Sequence, residues 1–295
     1  MKQAGMYKKA SISIFSLINT MIMLSTCFLI LYPLWYTLIY SLNDGADARL
    51  GGFFWLPRVF SLENYRMVFS ESQVINSMVV TIKRTLVGTI LSVLVMGMMG
   101  YSLTQKRLMG RNFFLTLGTI TLFFWGGMIP TFLLIKRLGL VDNFWGLVLP
   151  NAVNFFYVII FMSFFREIPD SIEESARIDG ANDLVIFFKI IFGMSLPVFA
   201  TVTLFMGVWY WNDYFTGVLY IIRRNDLIPL QTYLFRLIQT QTGDAMGMAV
   251  NVSKSVTPMS LQMATMFVTI IPILAIYPFL QRYLVKGLLL GAVKG

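Results

Sequence analysis

The sequence contains no histidine among its 295 residues. Catalytic triads that use histidine, haem ligation through histidine and the common zinc sites are therefore excluded. The phosphate-binding pattern G-x-x-x-x-G-K-[ST] is also missing, and the nearest imitation, VSKS at 252–255, lacks the glycines that cradle phosphates. If this protein uses ATP, another chain must bind it, and we expect no cofactor on this one.

Charge is scarce as well. Only 13% of the residues are charged, 57% are hydrophobic, and the mean hydropathy is +0.72. The single cysteine, Cys27, lies in an apolar run, so no intramolecular disulfide can form. Clustered acids within the apolar runs, which an integral-membrane enzyme would need for general acid/base chemistry, are missing too. A soluble globular domain has about a quarter of its residues charged, so this composition indicates a membrane protein.

Six windows carry no charge, and each has at least about the 20 residues that a helix needs to cross a bilayer. Strands of membrane barrels are shorter, at about 10 residues. The windows therefore predict an all-α, polytopic membrane protein with six transmembrane helices. They are Ala10–Asn43, Thr85–Gln105, Asn112–Ile135, Asn143–Phe165, Ile190–Asn212 and Ser255–Gln281.

The orientation follows from the basic residues beside these windows. The N-terminus imitates a signal peptide, but its apolar run is much longer than the cleavable core of about 7–15 residues, so it is retained as the first span. Basic residues without acids occur at the N-terminus, in the 106–111 connection and in the tail, which favours both termini in the cytoplasm. We expect a cytoplasmic N-terminus at 1–13, a six-span domain at 14–284 and a cytoplasmic tail at 285–295. The net charge of +9 suits anionic lipid headgroups and requires no nucleic acid.

One charged segment, EESARIDGANDLVIFFKI at 173–190, lies between two apolar windows. Pro169 and Asp170 are typical of a helix start, and acids in the first turn favour the helix dipole. Gly180 permits a sharp turn, after which a second apolar run follows. The pattern predicts a helix, a glycine turn and a second helix at the cytoplasmic face, shaped for a protein partner. The alternative is an ordinary charged loop.

The sequence Glu174-Ser175-Ala176, followed by Gly180 and Ile190, resembles the EAA loop of permease subunits in binding-protein-dependent ABC importers. With IPDSI before it, the segment is similar to the MalG-like half of the sugar branch, and closest to the subgroup that handles oligosaccharides from complex polysaccharides. Ser175 stands where that family has alanine, and Phe192-Gly193 stands where it has Leu-Pro. Further likeness lies in LGLVDNFWGLVLP at 138–150, WYWNDYF at 209–215 and VKGLLLGAVKG at 285–295.

The resemblance implies the type I ABC importer fold in a bacterial inner or plasma membrane. It also implies four kinds of partner: a second EAA-type permease that completes a heterodimer, two ABC ATPase subunits that bind ATP and Mg²⁺, an extracytoplasmic sugar-binding protein, and membrane lipid. The chain would not itself be an enzyme. The EAA loop, at 166–197, would dock on an ATPase and drive alternating access. The docking residues implied are Glu173, Glu174, Ser175, Ala176, Asp179 and Gly180.

Aromatic and polar side chains in WYWNDYF suit a sugar path, because sugar rings stack on aromatic rings and sugar hydroxyls need hydrogen-bond partners. The candidates are Trp209, Trp211, Asn212 and Asp213. The alternative is an aromatic belt at the outer interface, with Asp213 in headgroup water.

Lys83 and Arg84 form a second candidate for the path. If the second span begins near Asn76, this pair lies inside it and could bind a uronate-bearing oligosaccharide. If the span begins at Thr85, both side chains would snorkel outward.

Two other classes remain as alternatives, a secondary transporter and an integral-membrane enzyme. A secondary transporter usually shows internally repeated bundles and acids near the middle of the membrane, where only Asp213 qualifies here. An enzyme would need a catalytic constellation, and the missing histidines and clustered acids argue against it.

Overall fold

The computed structural model describes residues 14–292 except 49, 53–54 and 242–255. Over this part of the chain the secondary structure is helical, and the pairing between extended segments is limited to one isolated antiparallel bridge, Asn43 with Phe60. The all-α prediction is therefore confirmed. The chain divides into two compact units: unit A contains the described residues up to 68 and 256–267, and unit B contains those from 69 to 241 and 268–292.

Unit A contains the long apolar helix α1 (Ile14–Ser41), whose side chains are exposed along most of its length. Buried Asn64 organises the region after it, since its amide donates to the carbonyls of Ser41 and Asn43, both at 2.9 Å, and accepts from the hydroxyl of Ser260 at 2.8 Å. An exposed apolar helix suits contact with lipid or other apolar helices. The remaining helices that contribute to unit A are α2 (Gly45–Ala48), α3 (Glu63–Ser70) and the first part of α14 (Pro258–Ala292).

Unit B is built around α4 (Ser72–Thr104), a helix of 33 residues. Glycines on α4 allow large aromatic side chains to approach closely: a Cβ at Gly88 would lie 2.6 Å from the Tyr210 ring, and one at Gly100 would lie 2.8 Å from Phe161. The helices that follow it are α5 (Arg111–Phe123), α6 (Met128–Arg137), α7 (Phe155–Phe165), α8 (Asp170–Ile178), α9 (Asp183–Val185), α10 (Phe192–Met194), α11 (Leu196–Asn212), α12 (Phe215–Tyr220) and α13 (Leu230–Gln241).

The six predicted windows do not correspond to six straight helices. Within the described residues, three helices are long and apolar enough to span a membrane, namely α1, α4 and the 258–275 part of α14. Two further windows are bent pairs: 144–151 with α7, at 54°, and 183–194 with α11, at 86°. The second bend lies at Ser195, next to a π-helix at Ile186–Ile191.

Two window boundaries were wrong. The window Asn112–Ile135 was expected to be one helix, but α5 ends at Phe123 and α6 begins at Met128, because Gly127 adopts φ +91° between them. The second span was expected to begin either near Asn76 or at Thr85. Helix α4 begins at Ser72, close to the first of these, because polar residues in its first turns have partners. Gln73 donates to the Asn225 carbonyl at 2.8 Å and Asn76 to the Asp226 carbonyl at 2.7 Å.

Candidate functional site

The segment that resembles the EAA loop contains the helix, glycine turn and second helix that its pattern predicts. Helix α8 ends in a Schellman motif: the amide of Gly180 donates to the Arg177 carbonyl at 3.0 Å, and that of Ala181 donates to the Ala176 carbonyl at 2.9 Å. Gly180 has φ +82°, a conformation that other residues adopt only with strain. Asn182 then caps α9 by accepting from the Val185 amide at 2.9 Å. The turn is fixed by local chemistry.

Glu173 faces inward, toward the last turn of α4. Its carboxylate accepts from the Tyr101 hydroxyl at 3.2 Å and from the Gln105 amide at 3.0 Å, and lies 3.6 Å from the Arg177 guanidinium. We expected Glu173 to contact a partner protein, but its contacts in this chain place it on α4. The reason is helical spacing, since residues four apart, such as 173 and 177, share one face.

A second group of ion pairs lies beside the first. The carboxylate of Asp183 pairs with Arg177 at 2.7 Å and with Arg107, which follows α4. Burial lowers the pKa of Arg177, but its hydrogen bond and charge interaction with Asp183 outweigh that effect and raise the pKa overall. Both sides of the glycine turn are thus bonded to the end of α4 or to the turn after it.

The outward face of the loop carries Glu174, Ser175, Asp179 and Gly180, all exposed. Ala176, by contrast, is half-buried and packs against the hydrophobic core of unit B. Large apolar side chains stand beside the exposed carboxylates, and Ile178 is 86% exposed. Others on this surface are Leu184 and Phe188. Apolar side chains mixed with charges, at the end of long apolar helices, are typical of a surface that binds another protein.

Arg84 is fully buried, and every part of its guanidinium is engaged. Nε donates to the Leu147 carbonyl at 2.9 Å, Nη1 donates to the Asp213 carbonyl at 2.8 Å, and Nη2 pairs with the Asp213 carboxylate. The Trp209 and Tyr210 rings lie 5.8 and 5.5 Å from its central carbon. The interpretation of Arg84 as an outward-snorkelling side chain was therefore wrong. It cross-links α4, the 144–151 segment and the end of α11.

Lys83 has the opposite surroundings. Its side chain is exposed, on a face of α4 whose other exposed residues are apolar, including Ile82, Leu86 and Val87. The two neighbouring cations, which we treated as one patch, therefore face different directions. Of the two, only Lys83 has an exposed side chain.

The residues of WYWNDYF also separate. Tyr210 is buried and bonds with the Ser92 hydroxyl at 3.1 Å and the Val148 carbonyl at 3.0 Å. Trp211 donates to the Thr269 carbonyl at 3.2 Å and lines a cavity of about 290 Å³ between α4, α11 and α14. Trp209 and Asn212 remain exposed. Of the predicted path residues in this motif, only these two are open to a sugar.

Asp142 is a structural anchor that the sequence reasoning did not single out, although it lies in the LGLVDNFWGLVLP motif. It has φ +55°, and its carboxylate accepts the backbone amides of Ile222 and Arg223 at 2.8 Å and of Arg224 at 3.2 Å. Burial raises the pKa of Asp142, but these three donors outweigh burial and lower it. An aspartate before an asparagine was the available signal, because both tolerate left-handed turns.

No model of a known protein family matches the chain. Over 82% of its length, however, it is 44% identical to the polygalacturonan/rhamnogalacturonan transport system permease protein YtcP of Bacillus subtilis, covering 85% of that protein. The chain belongs to the permease subunits of sugar ABC importers. This sugar permease is also 29% identical to the arabinooligosaccharides transport system permease protein AraQ of Halalkalibacterium halodurans, over 91% of its own length and 92% of that protein.

A solved structure supports the same assignment. The sugar permease matches a chain of a bacterial ABC transporter involved in the import of the acidic polysaccharide alginate, with a TM-score of 0.84 and 31% identity. The match covers 95% of this chain and 99% of that one. The type I importer fold and the membrane location are thereby established, and neither a secondary transporter nor an integral-membrane enzyme is favoured.

Proposed function

We propose that this sugar permease forms, with a second EAA-type permease, the path of an importer for acidic oligosaccharides. An extracytoplasmic sugar-binding protein delivers the substrate, and two ABC ATPase subunits, which bind ATP and Mg²⁺, supply the energy. Both termini lie in the cytoplasm, on the side of the 166–197 loop. The observation that carries the coupling role is the exposed face of that loop, where a Schellman turn presents Glu174, Asp179 and Gly180 together.

The substrate class is supported by two relatives that handle acidic polysaccharides, polygalacturonan/rhamnogalacturonan and alginate. Three exposed residues of unit B offer the chemistry that such a substrate needs. Lys83 provides a cation for a uronate, Trp209 an aromatic surface, and Asn212 hydrogen-bonding groups. Arg84 and Asp213 form an ion pair with each other, so neither is proposed to contact the substrate.

The coupling role predicts the result of reversing one charge. We propose that Glu174 pairs with a basic group of the ATPase. Glu174→Lys should therefore abolish both ATPase co-purification and sugar-stimulated ATP hydrolysis, because it reverses the charge of that carboxylate. The complex is co-expressed, pulled down through a tag on the second permease and quantified for each subunit. Glu63→Lys is the control, because Glu63 is a half-exposed carboxylate whose ion pair with Arg66, at 3.1 Å, is exposed.

Substrate-stimulated hydrolysis tests the substrate class in the same preparation. Trigalacturonate with the cognate binding protein should stimulate ATP hydrolysis more than arabinotriose does. If Glu174→Lys recovers as much ATPase as the wild type, docking through this face is rejected. If only arabinotriose stimulates ATP hydrolysis, the acidic substrate is rejected.

A further inference from the structure

Two adjacent carboxylates of α8 have different surroundings. Glu174 is exposed, whereas the Glu173 side chain is only 19% exposed and has three polar neighbours within this chain. Only the outward one is free to bind a partner. The inward one joins α8 to another part of unit B.

The residues that hold Glu173 belong to the end of α4. Tyr101 lies in its last turn and is 4% exposed, with its ring 5.7 Å from that of Phe187 and 6.5 Å from that of Phe165. Its hydroxyl is therefore fixed by the core. Gln105 is the residue that caps α4, and its own amide donates to the Ser102 carbonyl at 3.2 Å. Glu173 is thus joined to the end of α4 by two hydrogen bonds, one of them to a hydroxyl that the core holds in place.

The covalent routes out of the loop are less direct. Toward α11 the chain passes through the π-helix at 186–191 and the 86° bend at Ser195. Toward α7 it passes through the turn at 166–169. A π-helix and a sharp bend interrupt the regular helix, whereas the hydrogen bonds of Glu173 join the loop directly to the end of α4. The Arg107–Asp183–Arg177 ion pairs add a second connection between the loop and the end of α4.

We propose that Glu173 is a positioning residue for transport, which fastens the coupling loop to α4 so that movement of the loop moves this helix. Glu174 binds the ATPase, and Glu173 transmits the displacement of the loop to α4. The inference rests on the proposed docking of the loop, but it concerns a different residue and a different contact. It also assigns α4, rather than the covalently adjacent α7 or α11, as the first spanning helix to respond to ATP.

The experiment follows the movement of α4 without requiring a substrate. A bimane fluorophore is attached to Leu86→Cys on α4, in a Cys27→Ser background, within the complete complex of permeases and ATPases. ATP with vanadate should shift its emission when Glu173 is present. In Glu173→Ala, the emission shift should be about tenfold smaller, because the loss of one hydrogen bond to a charged group corresponds to about a tenfold change in an equilibrium. The ATPase should still co-purify and hydrolyse ATP.

Conservative variants separate this role from simple loss of stability. Glu173→Gln keeps an oxygen that accepts from Tyr101 and Gln105, so it should retain most of the response. Tyr101→Phe keeps the buried ring and removes only the hydroxyl, so it should lower the response and should add nothing further in a Glu173→Ala background. If Glu173→Ala does not assemble, Tyr101→Phe alone decides. Asp170→Asn removes a carboxylate of the same helix whose 3.8 Å ion pair with Lys106 is exposed and contributes little, so it should behave as wild type.

The outcomes distinguish the two proposals. A wild-type emission shift in Glu173→Ala, or in Tyr101→Phe, would overturn the role of Glu173. So would a labelled complex with Glu173 intact whose bimane emission does not change with ATP and vanadate. Normal ATPase recovery with Glu174→Lys would instead overturn the docking face and leave the Glu173 contacts to be judged by the fluorescence alone.

Discussion

At the scale of single residues, the neighbours Lys83 and Arg84 show how much one step along a helix changes. The 100° between successive side chains directs Arg84 into the protein, where the end of α11 neutralises it, and leaves Lys83 exposed. Reading the sequence located both cations and Asp213, but it could not pair Arg84 with Asp213. The two are 129 positions apart, and no local pattern records such a contact.

Replacing each cation with Met should give different results. Arg84→Met leaves Asp213 in a largely buried position without its partner, and breaking such a pair costs about 3–5 kcal/mol, so we expect much less assembled complex. Lys83→Met should leave the amount of complex unchanged and lower the uptake of trigalacturonate more than that of arabinotriose. Uptake is measured in proteoliposomes and normalised to assembled complex. Equal loss for both sugars would remove Lys83 as a specificity residue.

The lowered pKa of Asp142 predicts how the thermal stability of the protein depends on pH. Its folded pKa is lowered, so its contribution to stability is present above the unfolded value of about 3.9 and is lost as the pH falls through the folded value. Asp142→Asn should therefore unfold at a lower temperature than wild type at pH 7, and the gap should narrow below about pH 4. Thermal unfolding in detergent measures this gap, and a gap that widens in acid would contradict the assigned interactions.

At the scale of elements, charge-free windows found the apolar segments but not their breaks. Gly126-Gly127 lies inside one window and Ser195 inside another, and neither carries a charge that would mark a boundary. For α4, the charge-free window began only at Thr85, whereas the other start considered, near Asn76, is close to the observed one. By sequence alone, the polar residues in the first turns of α4 look unsuitable for a spanning helix. In the structure they donate hydrogen bonds to the carbonyls of Asn225 and Asp226. The glycine turn of the loop was predictable, because a Schellman motif is encoded within a few residues.

Close packing along α4 predicts the effect of one methyl group. Gly88→Ala would place a Cβ 2.6 Å from the Tyr210 ring, so the ring must move away from its bonds to Ser92 and to the Val148 carbonyl. Overpacking of this kind costs about 1–3 kcal/mol. We expect a lower thermal midpoint of the assembled complex. Gly126→Ala is the matched control, because nothing lies within 4 Å of its added Cβ, and equal midpoints for both variants would contradict the packing argument.

At the scale of the whole molecule, much apolar surface is left uncovered by the described part of the chain. The side chains of α1 are a clear case, with Phe15 79% and Leu29 70% exposed. Such surface suits lipid or other apolar helices, and the outward face of the loop is proposed to bind a protein. The family, the all-helical fold and the transport role could all be predicted from the sequence, because composition and one short motif carry them. The roles of individual side chains could not be predicted, because they depend on contacts between distant segments.

The assembly itself can be tested by expressing the chain with and without its proposed partners. Alone, it should accumulate poorly and transport nothing, because its exposed apolar helices and its loop lack their contacts. With a second permease and ATPases it should purify as one complex, as judged by size-exclusion chromatography and mass spectrometry of the subunits. A transport-competent homodimer of this chain, purified by itself, would contradict the proposed heterodimer.

The Arg84–Asp213 pair also has a consequence for biosynthesis. Ribosomes add about 5–20 residues per second, so Arg84 is made roughly 6–26 s before the aspartate that neutralises it, given the 129 positions between them. If α4 entered lipid at once, its guanidinium would be stranded there without a counter-ion. We therefore expect the nascent α4 to stay beside the insertion machinery until α11 emerges. The ion pair would then influence the order in which these helices enter the bilayer.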